Sequence, residues 1–451
     1  MAGLAVAASA IPTYASIDRP DRASAATGRK VLIIGAGMAG LAAARDLRRR
    51  GHDVLVIEGS HRVGGRIETS HMWSDAPVDL GASWIHGLDG NPITQLARES
   101  GARLATTSYD SYVMFGPDGQ QLSAAAEARV DAMGKRIAAV LRQAQQGGHD
   151  QSVQSAVRTG LDWATLSAED RRIANFVMVS EIEMEYSGAA TDTSAYWFDS
   201  DGVFPGDDAV FLDGYSVVID AIAQGTAFVT GQPVTRVAAN RSGVRVTTGA
   251  RTYDADRVVV TVPLGVLKKG SLHFSPGLPA AKQRAIAALQ MGVLDKVFLR
   301  FPEIFWDPSK DWIEYLPDGG TQWAEWVSLA RPTGQPVLLG FSAATFARRM
   351  EKLDDADIVD SAMATLRRIY GSAIPEPTAH QITRWAADPF SFGSYSFNAL
   401  GSNPSMRDAL AAPMGDRIFF AGEATERQYF GTVHGAYVSG TRAARQVSRS
   451  L

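Results

Sequence analysis

Cysteine is absent from all 451 residues. That excludes disulfides, thiolate metal sites, a cysteine nucleophile and a cofactor tethered through sulfur. The histidines never form H-x-x-H or H-E-x-x-H, so no metal site is legible. No basic run stands out, and a formal net charge of −4 argues against nucleic acid as a partner. From residue 28 onward nothing is long and apolar enough to span a bilayer, and the basic end from Arg442 to Leu451 carries no membrane anchor. At 45% hydrophobic and 20% charged, the composition is that of a globular chain, and its length suits two or three lobes.

The N-terminus is short of something as well. Gly3 to Ile11 is an Ala-rich apolar run, and Ala23-Ser24-Ala25 fits a small-residue cleavage site, yet no Lys or Arg precedes it. We read residues 1–28 as a leader, either the remnant of an export signal, with a periplasmic or secreted destination, or a disordered segment of a cytoplasmic protein.

What is present begins at Val31. Four apolar residues to Ile34 read as a buried parallel strand, and the Ala-rich run after Gly40 as a helix packed on it. Between them Gly35, Gly37 and Gly40 form G-x-G-x-x-G: a tight turn, a close approach to a pyrophosphate, and close helix–strand packing. The helix start offers free N–H groups to phosphate. Val54 to Ile57 is a second buried strand, ending at Glu58, where a carboxylate would hold ribose hydroxyls. Gly64, Gly65 and Arg66 follow, which an ordinary nicotinamide-binding unit does not need. The set is a dinucleotide site.

Gly81-Ala82-Ser83-Trp84-Ile85-His86-Gly87 suggests backbone pressed against a planar ligand, or else a turn with a core Trp. Asn91 caps a helix opened by Pro92. Residues 123–146 have helical spacing closed by Gly147, and Ser167 starts another helix ending near Glu181, Glu183 and Glu185. Such acids ordinarily form a solvated face; lining a cleft, they would suit a polycation. From Val203 the dinucleotide domain resumes, with a helix over Tyr215–Ala223, a strand over Val229–Val237 passing Pro233, a hairpin about Gly249, and a buried strand over Val258–Val262. A strand-rich insertion follows: Val293–Phe301, Trp312–Tyr315, Trp323–Leu329 and Val337–Phe341, then an amphipathic helix over Ile358–Tyr370. Lys296, a cation in an apolar run, reads on its own as a solvent-facing edge lysine. Arg417 to Glu423 is a strand ending in Gly422-Glu423, and a helix opens after Thr432, Val433 and His434. A second helix N-terminus suits a flavin, whose pyrimidine end becomes negative on reduction.

At this point the chain resembles the flavin-dependent amine oxidases, in the polyamine oxidase branch shared with histone-lysine demethylases. The resemblance runs from about Lys30 to Val447. It rests on the glycine turn with Glu58 and Gly64-Gly65-Arg66, on Gly81 to Gly87, on Thr261-Val-Pro263-Leu-Gly265, on Asp295-Lys296-Val297, on Trp385 to Tyr395, and on Gly422-Glu423-Ala-Thr425 with Thr432-Val433-His434-Gly435. It implies an α/β fold: a Rossmann-type FAD-binding domain of the two-dinucleotide-binding-domain class, with an inserted substrate domain of mixed sheet and helices. The FAD domain is expected at residues 29–95, 203–285 and 385–451, a helical substrate insertion at 96–202, and the substrate sheet at 286–384.

The resemblance further implies noncovalent FAD, held by Gly35, Gly37, Gly40, Glu58, Gly64, Gly65, Arg66, Gly81, Ala82, Ser83, Trp84, Val234, Pro263, Trp385, Gly422, Glu423, Thr432 and Val433. Lys296 matches the family lysine that reaches flavin N5 through a water. Trp385 and Tyr395 belong to the aromatic element near the flavin, and His86 faces the substrate amine. Thr432 stands where some relatives carry a second tyrosine, so a two-aromatic sandwich is not expected. Glu183 and Glu185 are candidates to hold distal ammonium groups, with Glu183 the better placed. The implied reaction is hydride transfer from the carbon beside a neutral amine to flavin N5, then imine hydrolysis to an aldehyde and a shorter amine, with O2 reduced to hydrogen peroxide. The expected partners are a small polyamine (spermine, spermidine or an acetylated form) and O2. The rivals are an oxidase of another amine or an L-amino acid, which would need an arginine clamp that the sequence does not nominate, and a non-catalytic flavin-binding protein. Lys296→Met is expected to retain FAD and to react much more slowly with oxygen; wild-type reoxidation in stopped flow would overturn that role.

Overall fold

The computed structural model describes residues 28–319 and 322–451; the leader, up to residue 27, lies outside the described residues. The elements that position the site are, in chain order, β1 (Lys30–Ile34), α1 (Met38–Arg49), β2 (Asp53–Ile57), β3 (Tyr112–Phe115), α2 (Ala124–Gln146), α3 (Ala168–Met178), β4 (Ala227–Val229) and β5 (Arg257–Val260). They continue with β6 (Leu294–Arg300), β7 (Trp312–Tyr315), β8 (Glu325–Ser328), β9 (Val337–Ala343), β10 (Ala379–Ile382), β11 (Ile418–Phe420) and α4 (Val433–Arg449).

A five-stranded sheet runs β11-β5-β1-β2-β4, all parallel, drawing strands from three distant parts of the chain. Its central strands are apolar because both faces are covered; Val31, Leu32 and Ile33 have no exposed surface. Helix α1 buries its alanines and Leu41 and Leu47 on this sheet, and α4 lies against α1. Small residues permit that contact: a Cβ on Gly440 would stand 2.2 Å from the Ala39 carbonyl oxygen.

The strand expected over Val229–Val237 is two strands. β4 closes the parallel sheet, whereas Val234–Asn240 begins a separate four-stranded sheet. Gly231, at φ +64, turns the chain between them, and Pro233 has no N–H to donate to a ladder.

The second large sheet is six-stranded and mixed, in the order β10-β6-β9-β8-β7-β3. Strand β6 pairs with both β9 and β10, so Lys296 lies on an interior strand and not at a solvent-facing edge. Alternation splits its side chains: Val297 and Leu299 enter one apolar core, Phe298 another. Helix α2, capped by Ser123, packs with α3 in the helical insertion. At its end α3 passes into a π-helical turn, Val179–Met184, of the kind that recurs at functional sites.

Gly440→Val would force α4 away from α1. It is expected to cost about 1–3 kcal/mol and lower the melting temperature by a few degrees; an unchanged melting curve would show that the helices separate freely.

Candidate active site

One cleft of about 840 Å³ joins the two sheets. One side is formed where the parallel strands end: Ile34 at the end of β1, Glu58 after β2, Thr261 after β5, Gly422 after β11. Carboxyl ends of parallel strands are where such sheets bind ligands. The other side is the face of the six-stranded sheet that carries Lys296, Trp312, Glu314, Glu325 and Phe341.

The glycines of the first turn serve distinct ends. Gly35 has φ +104, and a Cβ there would lie 2.5 Å from Thr261 Oγ1. Gly40 does not line the cleft; a Cβ on it would sit 2.0 Å from the Gly35 carbonyl oxygen, so it sets helix–strand packing. Gly37 is open, the nearest atom to an added Cβ being 3.8 Å away, and it faces the cleft beside Met38 at the uncapped start of α1. Glu58 is buried, its carboxylate accepting from the backbone N–H groups of Ala36 at 2.6 Å and Ser60 at 2.8 Å. Burial pushes its pKa up against those bonds.

At the far end, Glu423 is buried after β11. Its carboxylate accepts from Arg66 Nη1 at 2.9 Å, Ser396 Oγ at 2.6 Å and the Gly431 N–H at 3.0 Å. Burial alone would raise its pKa; the Arg66 and Arg407 guanidinium groups and the Ser396 hydroxyl outweigh it and hold Glu423 below the ordinary carboxylate value. Helix α4 starts beside it, capped by Thr432 Oγ1, which accepts from Gly435 N–H at 3.0 Å, with Thr432 and Val433 lining the cleft. Lys296 Nζ donates to the carbonyls of Asp79 at 2.8 Å and Gly81 at 2.6 Å and to Ser83 Oγ at 2.5 Å. Its pKa falls to about 8 through burial, with the Asp79 carboxylate opposing. Trp385 is anchored through its indole N–H to the Leu80 carbonyl and its backbone N–H to Asp295. Val234 and Pro263 also line the cleft, as do Gly64, Gly65, Gly81, Ala82, Ser83 and Trp84.

The third wall holds His86 and Tyr395. His86 Nδ1 lies 2.7 Å from Asp208 Oδ2, with the ring half exposed to the cleft. Desolvation opposes the imidazolium, but the Asp208 carboxylate and, more weakly, Glu185 outweigh it and raise the His86 pKa. Tyr395 donates to the carbonyls of Met184 and Glu185, tying its ring to the π-helical turn. That turn corrects the expectation for Glu183. Ser180, Glu181, Met184 and Glu185 face the cleft, while the Glu183 carboxylate accepts from the Ala190 N–H at 2.9 Å and does not line it. Residues 181 and 185, four apart, share one face of the helical turn, and Glu183, two from each, points away from it.

Sequence reading missed Tyr109, Trp312, Glu314, Glu325 and Asp208, all functional candidates by position. The two glutamates had a readable signal, an acid at an inward position of an apolar strand, the same kind of signal that marked Lys296.

A sequence model of the flavin containing amine oxidoreductases matches residues 38–448. The chain belongs to that family. Among the relatives of this flavin amine oxidoreductase, rice polyamine oxidase 4 (Oryza sativa subsp. japonica) is 34% identical over 437 residues, covering 93% of this chain and 89% of that protein. Rice lysine-specific histone demethylase 1 homolog 1 is 37% identical over 448 residues, covering 93% of this chain but 52% of that protein, so the chain spans about half of its length. A solved structure of putrescine oxidase bound to putrescine superposes with a TM-score of 0.78 at 22% identity, covering 94% of this chain and 99% of that one, and shows the same fold.

The cofactor of this flavin amine oxidoreductase is FAD, and the residues present fit it. Two helix N-termini open onto one cleft, Gly37 leaves room where a phosphate would approach, and Glu58 presents a buried carboxylate at the end of β2. Because Glu423 has a depressed folded-state pKa, its stabilisation is present above the unfolded value of about 4.5 and is lost as pH falls through the folded value. Glu423→Gln strands Arg66 and Arg407 without their anion and is expected to cost about 3–5 kcal/mol near neutrality. Urea unfolding across pH 3 to 7 checks this: the difference between variant and wild type should shrink toward acid pH, and a pH-independent difference would overturn it.

Proposed function

We propose that this enzyme oxidises a polyamine. The observation that carries the reading is the charge of the substrate wall. Glu181, Glu185, Glu314 and Glu325 face the cleft, none of them in an ion pair among the described residues, beside the rings of Tyr109, Trp312 and Tyr395. Carboxylates and aromatic rings together suit an aliphatic chain bearing several ammonium groups. The arginines lining the cleft, Arg62 and Arg66, are engaged by Glu68 and Glu423, so among the described residues no cleft arginine is free to clamp an amino-acid carboxylate.

FAD, when bound, supplies the acceptor for the two electrons and hydrogen removed from the carbon beside the amine. Overall, polyamine, O2 and water yield an aldehyde, a shorter amine and H2O2. The chain's own tasks are alignment, desolvation and proton handling. The Asp208 carboxylate, an acceptor only, keeps the proton of His86 on Nδ1. Above the raised His86 pKa, Nε2 is free to accept a proton from a bound ammonium; below it, the imidazolium repels that cation. Activity should therefore rise with pH through the His86 titration. Lys296 holds three acceptors around Asp79, Gly81 and Ser83 and so fixes the segment that ends at His86.

The test is anaerobic mixing of the holoenzyme with spermine, spermidine, N-acetylated polyamines, putrescine, amino acids and a methylated-lysine peptide, read as bleaching of the oxidised flavin band. Rapid bleaching by a polyamine, with peroxide formed on admitting air, is the expected result. Bleaching by the peptide or an amino acid alone would overturn the substrate.

A further inference from the structure

Strand β6 places two neighbouring ionisable groups on opposite faces. Lys296 lines the cleft, and Asp295 turns by alternation to the other face, the core that Val297, Phe346 and Ile358 fill. Asp295 is 3% exposed. Its Oδ1 accepts from the Thr383 hydroxyl at 2.8 Å and from the Trp385 N–H at 2.9 Å. Its Oδ2 is buried and meets no donor of the described residues. The cations nearby are engaged elsewhere. Lys296 directs its ammonium to Asp79, Gly81 and Ser83, and Arg348 donates to the Met291 carbonyl. Arg384 pairs with Asp355 at 2.7 Å, and His380 on β10 faces the same carboxylate at 3.9 Å. Within hydrogen-bonding reach of Asp295 stands a second acid, Glu351, which ends the short helix Ala344–Met350. Glu351 accepts from the Ala386 N–H at 2.6 Å. Two acids thus hold two consecutive amides of the turn that carries Trp385 into the cleft.

We propose that Asp295 and Glu351 share one proton, and that this acid pair positions Trp385 in the cofactor cleft. Two acceptor-only oxygens side by side in a buried site repel each other. A proton between them turns that contact into a charge-assisted hydrogen bond and leaves a single negative charge on the pair. Burial, with Glu351 adding to it, pushes the Asp295 pKa well above the ordinary carboxylate value, as such a pair requires. Both are positioning residues: neither lines the cleft, and each acts through a backbone N–H. Loss of the proton sets two like charges beneath the turn, and the repulsion loosens the hold on Trp385 and Ala386. A carboxyl whose folded pKa is raised loses stability as pH climbs from the unfolded value, about 3.9, through the folded one. The protein should therefore lose both stability and its grip on flavin toward alkaline pH. The inference rests on the flavin site and not on which amine is oxidised.

Infrared spectra of holoenzyme labelled with 13C at the aspartate carboxyl read the proton directly. The C=O band of an un-ionised aspartic acid is expected at neutral pH, displaced by the label and missing from Asp295→Asn. Glu351→Gln should remove it too, because the Gln amide donates to Asp295 the hydrogen that the shared proton supplied. Melting and flavin release between pH 5 and 9 read the positioning. Asp295→Asn keeps an acceptor for Thr383 and Trp385 and turns an amide donor toward Glu351. It is expected to melt within about two degrees of wild type at pH 5 and a few degrees above it at pH 9. It should also hold flavin at an alkaline pH where wild type releases it. Lys296 and His86 titrate in both proteins, so the difference isolates the pair. Where Asp295→Asn does not fold, Glu351→Gln carries the comparison, with the same widening gap expected. A gap independent of pH, flavin lost more readily from the variant at pH 9, or a C=O band that survives Glu351→Gln overturns the shared proton.

Discussion

A single buried carboxylate holds the cleft together. Glu423 accepts from Arg66, Ser396 and Gly431, and Arg407 reaches the same Ser396 hydroxyl. Those partners come from the turn after β2, the segment after Trp385, the last short helix before β11 and the loop before α4. An unpaired carboxylate at that depth would cost several kcal/mol, so the two guanidinium groups are a condition of its burial and their segments must converge there. The convergence puts the start of α4, the start of α1 and the Trp385 element around one volume. The chain order of these pieces is irrelevant to the site; their shared anion is what registers them.

The cleft that results is electrically divided. On the cradle side the acids are engaged: Glu58 by backbone N–H groups, Glu68 by Arg62, Glu423 by Arg66. Across the cleft, Glu181 and Glu185 at the π turn and Glu314 and Glu325 on the sheet form no ion pair with any described residue. The first arrangement suits a cofactor whose phosphates prefer N–H donors to loose carboxylates; the second suits a cation that arrives from outside. Lys296 stands on the boundary, its ammonium turned into the backbone carbonyls of Asp79 and Gly81.

Legibility followed the range over which each signal acts. The glycine turn, Glu58 and the apolar strands were readable because strand, turn and helix within some thirty residues impose their own residue types. The ends of α2 and α3 were readable from Ser123 and Ser167, whose side chains cap the helices locally. Lys296 was ambiguous alone, because whether a strand is interior or at an edge is decided by β9 and β10, far along the chain. Glu183 is nominated by the resemblance alone, which matches a residue type to a position and does not say to which side of the turn Val179–Met184 its carboxylate points. Val229–Val237 reads as one strand in the sequence because Gly231 and Pro233 mark a turn only once the two flanking strands are seen to join different sheets.

Glu314 and Glu325 show why a site can hide in a well-read sheet. Each occupies an inward position of an apolar strand, where an ionised carboxylate costs several kcal/mol to desolvate. Lys296, Phe341, Glu325 and Glu314 stand in one cross-strand row. The nearest cation along the row, Lys296, is about 10 Å from Glu325; at an effective dielectric of ~20 the attraction is about 2 kcal/mol, less than that cost. Phe341 stands between them in the row and offers neither a hydrogen bond. Hydrogen bonding from Ser180 serves only one of the two acids. The fold therefore leaves negative charge uncompensated at this position, and two exits remain: protonation, or a cation supplied from solution. Protonation of Glu314 and Glu325 relieves the cost by giving up the charge that would recognise an ammonium, and a cationic ligand relieves it by keeping that charge. Competition between a proton and a cationic ligand for the same two carboxylates is thus built into the strand register.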